Sequence, residues 1–248
     1  MAAHTSRPEE ISLMDQLLLL SIADDRGTIE TPVPAGIVLA GAALVELALR
    51  DRVRIADGAV HPVRETPTGD PLLDTIAARC VRETPQPCHV WILRAHRRHR
   101  LEAMVLSRLE RRRLLERGER RVLRFFRVCS FVLLPAAGET RDALRGQLRA
   151  ALAAPLDAQP LRPACLAALL LAAGMLPTVL GTSSDNMREL RLARARELVE
   201  NNTLAPAYEA LAQAARGVRL AVEATLMSTF AGGTGTIGVG WAAQHRPW

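Results

Sequence analysis

Apolar positions recur at helical spacing along most of the chain and switch to alternation at two places. Ser12 and Asp15 form a capping-box pattern before an apolar stretch, which predicts a helix over 13–22 closed by Asp24-Asp25-Arg26-Gly27. Residues 37–49 carry Glu46 as their single charge, so a helix buried on most sides is expected there, with Gly41 and Ala42 permitting close packing. Val53, Ile55 and Val60 alternate with polar residues around Asp57-Gly58, a strong hairpin signal. The segment Pro67-Thr68-Gly69-Asp70-Pro71 supplies a cap and a first-turn proline for a helix over 72–83.

One long helix is predicted over 90–115. After it, Gly118 and the β-favouring residues 122–126 predict a second hairpin, turning within the basic segment 116–121. Helices over 140–153, 165–176, 185–201 and 205–229 complete the pattern. The expected organisation is a flexible N-terminus (1–10), one helical domain (11–230) and a glycine-rich flexible tail (231–248). The fold class is mainly α, a single domain with short β-hairpins.

Composition supports this and narrows the chemistry. Of 248 residues, 49% are hydrophobic and 3% aromatic, so the core is aliphatic and suits helices better than a β-sandwich. Residues 163–184 carry no charge and are long enough to span a bilayer. However, Pro163, Gly174 and Pro177 and the alanine content favour a buried core helix. The four cysteines are far apart, without a C-x-x-C pair, and the polar start lacks a signal-peptide pattern, which together suggest a reduced, cytoplasmic protein.

Every one of the 32 basic residues is arginine, and the formal net charge is +6. Thirteen arginines against four glutamates lie between Arg94 and Arg127, a local charge of +9, so the rest of the chain is net acidic. That concentration points to an anionic partner: a lipid surface, a nucleic acid or an acidic protein. On a continuous helix Arg94, Arg97, Arg98, Arg108 and Arg112 share one face, beside a core face of Trp91, Ile92, Ala95, Leu106 and Leu109.

No motif argues for an enzyme. The string Gly233 to Gly238 matches a dinucleotide fingerprint but lacks a surrounding βαβ unit. His96 and His99 could share a helix face, yet the flanking arginines would repel a metal cation. No cofactor or metal is expected.

Several segments together resemble the Golgi phosphoprotein 3 family: residues 11–20 with Asp24 to Gly27, residues 39–50, and above all Pro67-Thr-Gly-Asp-Pro-Leu-Leu-Asp74. Residues 108–115, 121–126 and 166–176 extend the resemblance, which covers about residues 11–201. The resemblance implies a buried central helix bundle ringed by amphipathic helices, with a β-hairpin projecting from one face. It further implies a peripheral membrane protein that binds the phosphatidylinositol 4-phosphate headgroup in a basic pocket and tethers membrane proteins.

The family's pocket positions fall on Thr31, Ala40, His99 and Glu102. The candidate headgroup residues are Arg97, Arg98, His99 and Arg100. The candidate membrane-facing hairpin comprises Arg117, Arg120, Arg121, Arg124, Phe125 and Phe126, although a core role suits the two phenylalanines slightly better.

The expected partner is an anionic phospholipid surface at the cytoplasmic face of a membrane, with cytosolic tails of membrane proteins and a second copy of the chain as further candidates. Two alternatives stand beside it. One is a nucleic-acid-binding protein that uses the basic helix and hairpin as a winged element, and the other is a protein scaffold.

Overall fold

The computed structural model describes residues 11–63, 66–82, 85–122, 126–155, 159–181, 185–200 and 206–231. The expected flexible N-terminus 1–10 and residues 232–248 of the expected tail 231–248 lie outside the described residues, whereas Ala231 is the last residue of a helix. Helix α1 (Leu13–Ser21) starts as its sequence predicts: the Ser12 hydroxyl accepts from the Asp15 amide, and Asp15 accepts from the Ser12 amide. Helix α2 (Ala35–Leu49) is the centre of the molecule, buried from Ala35 through Leu47. Gly41 lets α2 approach the last helix, because a Cβ there would overlap Val218.

Strands β1 (Val53–Ala56) and β2 (Ala59–Pro62) pair antiparallel, and Asp57 and Gly58 both adopt positive φ, as the Asp-Gly signal requires. A two-residue strand β3 (Gln86–Pro87) extends this sheet after α3 (Pro71–Arg82). The Asp70 carboxylate accepts from the Leu72 and Leu73 amides, the cap expected for α3.

The long helix expected over 90–115 is two helices, α4 (Cys88–Arg98) and α5 (Leu101–Arg111), separated at His99 and Arg100. Neither residue announces a break, and His99 takes an extended conformation. Helix α5 closes early in a Schellman turn. The Leu114 amide donates to Leu109 and the Arg113 amide to Glu110, with Arg113 at φ +55 where glycine is usual.

Leu115 therefore begins a strand. β4 (Leu115–Val122) pairs antiparallel with β5 (Phe126–Leu133) in register from Leu115–Leu133 to Val122–Phe126. The expected turn at 116–121 is instead strand, and Gly118 sits mid-ladder opposite Ser130. The connection at 123–125, with Arg124 and Phe125, lies outside the described residues.

Helices α6 (Pro135–Ala153), α7 (Leu161–Ala172), α8 (Leu176–Leu180), α9 (Asp185–Glu200) and α10 (Pro206–Ala231) follow. Residues 164–170 of α7 are all buried, in agreement with a core helix, and no helix among the described residues is long and apolar enough to cross a membrane. Around α2 pack α1, α4, α5, α7 and α10, which form one continuous aliphatic core. The observed fold is a mainly helical single domain with short antiparallel strand pairs.

Two arginine networks tie this bundle together. Glu46, fully buried on α2, accepts two forked bonds from Arg162, one from Arg50 and one from the Leu13 amide. Burial pushes its pKa up, but Arg162, Leu13 and Arg50 outweigh that and hold it below the ordinary value. At the same end of α1, buried Arg108 reaches Asp15, Asp70 and Ser12. Burial of Asp15 prevails over Arg108, Arg112 and Ser12, and its pKa is raised.

Arg108 is thus no part of a basic face. The break at His99 and Arg100 resets the helical phase, and two carboxylates draw its guanidinium inward. The other half of the wheel survives the break: Trp91, Ile92, Ala95, Leu106 and Leu109 are all buried.

Candidate functional site: a basic cleft at the helix break

The break between α4 and α5 opens one wall of a cleft of about 690 Å³. The start of α2, from Pro34 to Gly36, forms a second wall, and the hairpin residues Arg117, Cys129 and Phe131 form a third. Three arginines from separate backbone positions line the cleft. Arg97 comes from the last turn of α4, Arg100 from the break itself and Arg117 from β4. All three are exposed.

Each wall is held in place by local chemistry. Gly27, at φ +61, lies so close to β5 that a Cβ would overlap the Phe131 carbonyl, and the Phe131 amide donates to the Gly27 carbonyl at 2.6 Å. That contact clamps the hairpin to the loop leading into α2. Arg117 is positioned by a 3.0 Å bond from Nε to Glu110 and by the Phe131 ring, whose centroid lies 5.9 Å from its guanidinium carbon. The N-cap of α2 is Pro34, which provides no side-chain cap, so the positive end of the helix dipole faces the cleft.

Two imidazoles and one carboxylate complete the lining. His96 rests on Gly36, where any Cβ would overlap its ring. Burial and the neighbouring Arg97 charge hold the His96 pKa below its ordinary value. His99 is buried at the break, and Glu102 stands exposed in the first turn of α5.

Of the residues singled out in the sequence, the cleft brings together Arg97, His99, Arg100, Glu102 and Arg117. Arg98 is exposed but does not line it, and Thr31 and Ala40 do not either. The Thr31 hydroxyl donates to the Val33 carbonyl in the turn before α2, and Ala40 is fully buried one turn deeper in that helix. Arg120, Arg121 and Phe126 lie on β4 and β5 in backbone terms, but their side chains fall outside the description, as do Arg124 and Phe125 altogether.

Sequence reasoning missed Gly36, Cys129 and Phe131 and weighed His96 only as a metal ligand. Only the helix break and the hairpin register bring these four to one place, and neither has a sequence signature. No group of three or more metal-ligating side chains occurs among the described residues.

The family model described as Golgi phosphoprotein 3 (GPP34) matches residues 13–218. The chain belongs to this family. The match runs from α1 into α10 and contains every wall of the cleft. No curated protein matches the chain. Membership in the Golgi phosphoprotein 3 family agrees with the mainly helical single domain, and it associates the chain in general terms with lipid or protein partners.

Proposed function

We propose that this Golgi phosphoprotein 3 family member is a non-enzymatic peripheral membrane protein that holds an anionic phospholipid headgroup in the cleft at the α4–α5 break. The observation that carries this reading is the convergence of Arg97, Arg100 and Arg117 on one concave surface. Forked guanidinium donors suit phosphate oxygens, and each basic residue near an anionic membrane contributes about 1 kcal/mol. A few such residues suffice for reversible, salt-sensitive attachment at the cytoplasmic face of a membrane. There the protein would act as an adaptor for the cytosolic tails of membrane proteins, as its family suggests.

The winged-helix alternative is less well supported. The helix before the hairpin, α5, exposes Glu102, Ala103 and Met104 in its first turns, its exposed Arg111 donates back to Ser107, and its Arg108 is committed to internal carboxylates.

Co-sedimentation with liposomes tests the reading, using neutral and anionic vesicles at low and physiological salt with duplex DNA as competitor. Salt-sensitive retention by anionic vesicles is expected. No retention even at low salt, or displacement by DNA at equal charge, would overturn it.

A further inference from the structure

We infer that Arg113, at the corner where α5 turns into the hairpin, makes a second contact with an anionic phospholipid surface, outside the cleft. The inference rests on the lipid reading above and deepens it. Arg113 does not line the cleft, and it stands two residues before β4, the strand that carries Arg117.

Its backbone singles it out. Among the described residues, those other than glycine with positive φ are Asp51, Asp57 and Arg113. Aspartate visits this region because its short side chain can hydrogen-bond locally, whereas in arginine the Cβ simply crowds the following carbonyl oxygen. Arg113 follows the C-cap Arg112, at the position where glycine closes a helix without that crowding. A residue strained in this way persists where another interaction outweighs the strain.

Among the described residues, no hydrogen bond or ion pair holds the Arg113 side chain, which is exposed. The charged groups around it are already engaged. Arg111 donates to the Ser107 hydroxyl at 3.2 Å, Arg112 lies 3.5 Å from Asp15, and the Glu110 carboxylate accepts from Arg117. Arg111 and Arg112 also place positive charge at the end of α5, so the helix dipole does not require a third arginine. Guanidinium donors suit phosphate oxygens, and a bilayer met by the cleft and the base of the hairpin supplies the partner that the fold does not.

The experiment measures sedimentation of the full chain with phosphatidylcholine vesicles containing phosphatidylserine, together with thermal melts. Arg113→Gly should weaken retention about fivefold and raise Tm by about 2 °C, because it removes the charge and the strain together. Arg113→Gln removes the charge alone, so it should weaken retention equally and leave Tm unchanged. Arg113→Lys should bind as the wild type does. Arg219→Gln removes the same charge from α10, where the side chain is 66% exposed, and should also bind as the wild type does. Wild-type retention of Arg113→Gly, or equal losses in Arg113→Gln and Arg219→Gln, overturns the inference while leaving the lipid reading intact. A Tm lowered by Arg113→Gly also overturns it, since the fold itself would then use the arginine, and so does a loss confined to duplex DNA binding. Failure of the wild type to bind these vesicles even at low salt overturns the lipid reading itself.

Discussion

Arg108 donates from Nη1 to Asp70 Oδ2 at 2.6 Å, joining the middle of α5 to the residue that caps α3. The same guanidinium reaches Asp15, the third residue of α1, at 2.8 Å. One side chain thus fixes two helix starts against the helix that lines the cleft. Asp15 is fully buried, and without Arg108 the one cation facing it among the described residues would be Arg112, 3.5 Å away. Arg108→Met should therefore cost about 3 to 5 kcal/mol in denaturant unfolding. Adding Asp15→Asn should recover part of that loss, because the stranded charge is then gone. Strictly additive losses in the double variant would contradict the pairing.

Glu46 provides a pH test. Its carboxyl titrates below the ordinary 4.5 in the folded protein, so it binds fewer protons there than in the unfolded chain. The stability it contributes is complete above the unfolded value and is lost as pH falls through the lower folded value. Glu46→Gln should cost about 3 kcal/mol at pH 7, where Arg162 is left without its partner. The gap between wild type and variant should narrow below about pH 4.5. A gap that stays constant down to pH 3 would show that Glu46 does not titrate in this way.

The cysteines report on the cleft walls. Burial pushes the Cys88 thiol up to about 11 and that of Cys165 to about 12, whereas Cys129 is exposed in the cleft. In a Cys80→Ser background, a maleimide at pH 8 should modify Cys129 readily and spare the other two until the chain unfolds. Anionic vesicles should slow the reaction at Cys129. Equal rates with and without vesicles would argue against a headgroup in this cleft.

Gly27 and Gly36 separate fold from site. Gly27→Ala puts a side chain at positive φ and against the Phe131 carbonyl, so a loss of about 1 to 3 kcal/mol is expected together with weaker vesicle binding. Gly36→Ala meets only the movable His96 ring, so its larger effect should fall on binding rather than on thermal stability. The opposite ranking in a thermal melt would contradict these roles.

Much of the fold was legible because local signals agreed with it. The Ser12–Asp15 cap, the Asp57-Gly58 turn, the Asp70-Pro71 start and the apolar continuity of α2 each act within a few residues. The cleft was less legible because its decisive features are non-local or use atypical residues. Arg113 closes α5 where glycine is the usual signal, and His99 breaks a helix between arginines that carry no stop signal. Gly118 resembles a turn residue but lies within a strand, so the hairpin was expected a few residues away from its observed register. Charge density correctly located the basic region, but it could not tell that Arg108 points inward while Arg97 and Arg100 line a concave surface.

The central claim is that the cleft, and not the overall positive charge, holds the protein on membranes. Its most direct test compares two triple charge reversals on anionic vesicles at physiological salt. One replaces Arg97, Arg100 and Arg117 with glutamate, and the other replaces the exposed Arg188, Arg196 and Arg219 of α9 and α10. The cleft variant should lose binding by at least about tenfold relative to the α9–α10 variant, which has the same net charge. Equal losses in the two variants would contradict the account and leave a diffuse charge effect in its place.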